Sequence, residues 1–131
     1  MLNFIVGWVC FLLGAIAGAL IGLGFHREDW LGGYQSFRRR MLRLGHIAFF
    51  GLGFINVLFA LSVNSPLAPH PHFDDLASPL LAGGALTMPL VCFLSAWKPA
   101  FRHTFFIPVL LTTGGIAAFL FNWLPVEKIF R

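Results

Sequence analysis

Four stretches of this chain run for about 20 residues without a single Asp, Glu, Lys or Arg, at residues 2–25, 44–63, 79–97 and 105–124, and the charged residues crowd into the gaps between them. A helix rises about 1.5 Å per residue, so about 20 residues cross the hydrocarbon core of a bilayer. The runs lack the strict alternation of barrel strands. A lone backbone N–H or C=O in lipid costs several kcal/mol, which leaves helices as the economical reading. Local signals agree: Ser78-Pro79 has the form of an N-cap followed by proline at the first helical position, Lys98-Pro99 closes the third run and Pro125 closes the fourth.

The pattern predicts an all-α integral membrane protein, a four-transmembrane-helix bundle forming a single membrane domain over residues 1–131. Between the first two runs, Gly32-Gly33 breaks the chain, and Tyr34, Phe37 and Met41 then recur at helical spacing opposite the arginines. That spacing predicts a short cytoplasmic interfacial helix before helix 2, continuing into it. Ala15-Ile16-Ala17 resembles a signal-peptide cleavage site. The residues ahead of it hold no Lys or Arg, however, and the apolar run outlasts the usual h-region of about 7–15 residues, so the first run reads as a span.

Composition settles the solvent. The chain is 58% hydrophobic and 11% charged, with a mean hydropathy of +0.82, outside the range of a water-soluble domain. Charge then sets orientation. Seven of the nine basic residues fall in the first and third loops, at Arg27, Arg38, Arg39, Arg40, Arg43, Lys98 and Arg102, while Asn64 to Asp75 holds none. The preference for Lys and Arg on the cytoplasmic side places those loops inside and both termini outside. The expected setting is a bacterial cytoplasmic (inner) membrane. The net charge of +4 has a topological role already, so nucleic acid is not an expected partner and anionic headgroups are.

Gly14, Gly18 and Gly22 fall every four residues in "GAIAGALIG" and bare one face of the first helix. In lipid such a face lets another helix approach closely. It predicts a packing surface, either within this chain's bundle or as the seam of a homo-oligomer or with other membrane subunits. Pro89 lies within the third run, so the carbonyl of Ala85 loses its helical donor there and a kink is expected. Asn56 and Asn122 are the main polar exceptions within the runs and predict interhelical hydrogen bonds. Cys10 and Cys92 fall at different depths, which opposes a disulfide, and without a CxxC pair they suggest no zinc or iron–sulfur site.

Folding four spans back and forth gathers His26, His46 and His103 at one rim, each with an arginine close by in sequence. A b-type haem takes imidazole ligands from facing helices and cations for its propionates. His46 and His103, with His26 as substitute and Arg43 and Arg102 beside them, are therefore the candidate haem or metal site. The competing reading is that these histidines are interfacial residues reaching headgroups. In the opposite loop, His70, His72, Asp74 and Asp75 have the residue types of a zinc or copper site without a diagnostic spacing. No nucleophile with a base, no phosphate-binding glycine loop and no paired catalytic carboxylates stand out. Two functions are carried forward: a non-catalytic accessory or structural subunit of a membrane complex, and an electron-transfer subunit holding haem b or a metal at its rim.

Overall fold

The computed structural model describes residues 1–66 and 74–123, with Asp74, Asp75 and Trp123 described by their backbone alone. Among the described residues the protein is all-helical, and four helices are long and apolar enough to cross a membrane, which points to an integral membrane protein. They are α1 (Leu2–Gly22), α2 (Phe37–Val63), α3 (Asp74–Trp97) and α4 (Phe106–Trp123). Short 3-10 turns at Trp30–Gly32 and Pro99–Thr104 lie in the two basic connections.

Two boundaries differ from expectation for identifiable reasons. No separate interfacial helix precedes α2. Ser36 caps it, its Oγ accepting from the Arg39 N–H at 3.2 Å, and 27 helical residues follow without a breaker, so the arginine segment forms the first two turns of α2 itself. Helix α3 starts at Asp74 rather than at Pro79. Ser78 is therefore not its cap, and the Ser78 hydroxyl donates instead to Asn3 Oδ1 on α1. Pro108 is the third residue of α4, where its missing N–H would have had no intrahelical partner.

Helices α2 and α3 form the centre. Helix α1 packs along α2 and more lightly on α3, while α4 packs along α3 and meets α2 through the edge-to-face pair Phe59–Phe119. Glycines set the close approaches. A Cβ at Gly7 would lie 2.8 Å from the Gly53 carbonyl oxygen on α2, and one at Gly45 would lie 3.0 Å from Cys92 Cβ on α3. Such seams gain from dispersion and lost lipid contact, since apolar burial alone drives nothing in a bilayer.

Several polar side chains inside the bundle join helices. At the end opposite the arginines, Asn3 Nδ2 donates to Asn56 Oδ1 at 2.8 Å and to the Ser78 carbonyl at 3.0 Å. Asn56 Nδ2 donates to the carbonyls of Leu52 at 2.9 Å and Leu81 at 3.2 Å. Three helices thus meet in one buried knot, with Asn56 fully buried. Midway along α3, the carbonyl of Ala85, released from its helical partner by Pro89, is approached by the Cys10 thiol of α1 at 4.0 Å. This is a weak hydrogen bond in the place where α3 lacks its own. Both cysteines are free and buried.

Candidate functional site

The rim that carries the arginines is built by the connection from α1 to α2. After α1 the chain turns through Gly24 and reaches a 3-10 turn in which Leu31 (φ 54°), Gly32 (φ 87°) and Gly33 (φ 87°) all have positive φ. The two glycines adopt such angles freely, whereas Leu31 is strained there. This reversal lays Trp30 over Gly24, where a Cβ would come within 2.5 Å of the indole ring. It also brings Tyr34 back toward the start of α2.

Into the space so enclosed projects Arg39, which is only 5% exposed. Its guanidinium carbon lies 5.5 Å from the ring centres of both Phe25 and Trp30 and 5.7 Å from that of Tyr34. Nη1 donates to the Glu28 carbonyl at 3.1 Å. Arg43 covers the Tyr34 ring at 4.0 Å and donates from Nη2 to the Tyr34 carbonyl at 3.2 Å. Three ring faces and one carbonyl therefore hold Arg39. The one ion pair among the described residues joins Arg27 to Asp29, on the surface at 3.7 Å. Beside Arg39 opens a cavity of about 440 Å³ lined by Phe25, Glu28, Tyr34 and Arg39.

The histidines anticipated at this rim lie on three different segments. His46 is turned onto α1: its Nδ1 lies 2.9 Å from the Gly14 carbonyl, and because that oxygen can only accept, Nδ1 carries the proton. Its ring meets Phe50 edge-on at 5.3 Å. His26 is exposed in the turn after α1. His103 is exposed in the 3-10 turn before α4, with Arg102 Nε 3.4 Å from its Nε2. The structure thus joins His46 to α1 rather than to His103, and Arg43 to Tyr34 rather than to a histidine. Among the described residues no three metal-ligating side chains converge. His70 and His72 lie outside the described residues, as do the side chains of Asp74 and Asp75.

The glycine face of α1 is divided. Gly14 faces Phe49 and Phe50 and Gly18 faces His46, all on α2, whereas Gly22 has open space where a side chain would be. Sequence reasoning missed the arginine cage, because its aromatic members are scattered through a loop and meet only after the backbone reverses at residues 31–33. Three aromatic residues within a short loop leading into an arginine run were the available signal.

The fold and the rim define the class of a small polytopic α-helical membrane protein. Comparison with protein-family models, with curated proteins and with solved structures finds no match to this chain.

Proposed function

We propose that this chain is a non-catalytic accessory or structural subunit of a membrane complex, with the arginine end in the cytoplasm, both termini outside, and a bacterial inner membrane as its setting. The observation that supports it is the placement of α4. That helix packs chiefly along one neighbour, α3, touching α2 through the Phe59–Phe119 pair, and turns Phe106, Leu110 and Phe121 outward, each at least 60% exposed. It presents a bulky apolar face beside the groove lined by Ile55, Phe59, Ile116 and Phe119. A helix held chiefly by one neighbour gives a partner span an extended surface.

The test is native mass spectrometry of protein released gently from its own membrane. A complex with another membrane subunit at fixed stoichiometry is expected, and it should be lost in Leu110→Trp, which adds bulk where the side chain is exposed. A mass corresponding to this chain and lipid alone, unchanged by that substitution, would overturn the proposal.

A further inference from the structure

We propose that the cavity between the α1–α2 connection and the start of α2 binds a zwitterionic headgroup, a phosphodiester bearing a primary ammonium, as carried by phosphatidylethanolamine. The inference concerns the rim alone and stands whether or not the chain assembles with partners.

The cavity is lined by one cation and one acid, Arg39 and Glu28, which form no ion pair with each other, since Arg27–Asp29 is the one pair among the described residues. Arg39 is more than nine-tenths buried, and its guanidinium makes one hydrogen bond to the described residues, Nη1 to the Glu28 carbonyl. The remaining N–H donors suit a phosphate, the geometry for which arginine is the preferred side chain. Glu28 supplies a carboxylate for three ammonium N–H donors. The other two lining residues, Phe25 and Tyr34, already hold the guanidinium of Arg39, and Tyr34 that of Arg43 as well, so Glu28 is the lining group left for the ammonium.

Depth fits the same ligand. Phe25 follows the end of α1 by three residues and Arg39 lies in the first turn of α2, so the cavity is level with the ends of two spans, where headgroups lie. Phe25 and Tyr34 are each more than half exposed, as aromatic residues at that level commonly are. Glu28 is the discriminating group. A trimethylammonium headgroup offers no N–H to the carboxylate, and a glycerol headgroup brings no cation at all.

The experiment uses the full chain in detergent, given equimolar phosphatidylethanolamine, phosphatidylcholine and phosphatidylglycerol with matched acyl chains, and counts bound lipid by native mass spectrometry. A preference of about tenfold for phosphatidylethanolamine is expected, the scale of one charge-assisted hydrogen bond. Glu28→Gln, on an exposed residue, should fold normally, bring the ethanolamine-to-choline ratio close to one and raise the share of phosphatidylglycerol. Arg39→Gln should lose all three lipids at this site. Should that variant fail to fold, the Glu28→Gln ratios decide alone. Water-soluble glycerophosphoethanolamine separates the two sources of this chemistry: displacement of bound lipid shows that the headgroup suffices, and failure to displace shows that the lipid is the ligand. Equal binding of the three lipids, or an ethanolamine preference that survives Glu28→Gln, would overturn the proposal.

Discussion

A single methyl group at Gly18 tests how α1 is held on α2. A Cβ there would lie 2.5 Å from His46 Cε1, 3.1 Å from Nδ1 and 3.3 Å from Nε2. The nearest ring atom would have to retreat by about 1 Å to reach an ordinary carbon–carbon contact. His46 is not free to do so, because Nδ1 is bonded to the Gly14 carbonyl at 2.9 Å and the ring is backed by Phe50. A displacement of that size breaks the bond. An interhelical hydrogen bond in a membrane contributes about 0.6 kcal/mol on average and up to about 1.7, and overpacking adds about 1–3 kcal/mol. Alanine returns about 1 kcal/mol of helix propensity. Gly18→Ala should therefore destabilise the protein by about 1–3 kcal/mol.

Gly22→Ala is the matched control. It carries the same chemical change one turn along the same face, with nothing within 4 Å of the new Cβ, so it should be neutral or stabilising by up to about 1 kcal/mol. Reversible unfolding in mixed micelles of rising SDS fraction, followed by helical circular dichroism, measures both. In a His46→Ala background most of the Gly18→Ala penalty should vanish, as expected for residues in direct contact. Equal stability of Gly18→Ala and Gly22→Ala would refute the assignment of Gly18 to the internal seam.

Three further outcomes are expected. Asn56→Ala should lower stability in the same assay by about 2 kcal/mol, because it strips Asn3 Nδ2 of one acceptor and leaves a buried gap; a loss below about 0.5 kcal/mol would mean that the three-helix knot contributes little. Cys10→Ser should keep the stability of the parent while Cys10→Ala loses up to about 1 kcal/mol, and in Pro89→Ala, where residue 89 regains an N–H for the Ala85 carbonyl, the two substitutions should become equivalent. Finally, in a cysteine-free background, an impermeant thiol reagent applied to intact cells should label Asn64→Cys and spare Gln35→Cys, and the reverse pattern would invert the proposed topology.

The spans were legible in the sequence because bilayer thickness imposes a length on any helix that crosses it, and uncharged runs of that length are rare by chance. Boundaries were less legible. Ser78-Pro79 carries the local signature of a helix start, yet its hydroxyl is engaged by Asn3, which is 75 residues away in sequence, and no local rule sees that partner. The Ala85 carbonyl was identifiable as orphaned from Pro89 alone. That Cys10 would approach it depended on the crossing of α1 over α3. The arginine cage lies further from reach, since it exists only through the positive-φ reversal at Leu31, Gly32 and Gly33, and leucine gives no warning of such a backbone.

For His46, residue type and rim position left two readings open, a ligand and an interfacial residue. A haem- or metal-binding imidazole presents one nitrogen to an opening and uses the other as an anchor. His46 has the anchor, with Nδ1 on the Gly14 carbonyl, and that half of the pattern is what a histidine at a helix border suggests. The other half depends on which way the ring edge faces. A Cβ built at Gly18 would meet Cε1 first, then Nδ1 and Nε2, so the Cε1 edge of the ring lies over a residue whose only side chain is a hydrogen. Gly14 supplies the acceptor and Gly18 the clearance, four residues apart on one face. The glycine pattern and the histidine, separate signals in the linear chain, are two halves of one contact, and it is the contact that the Gly18→Ala and His46→Ala pair would dissect.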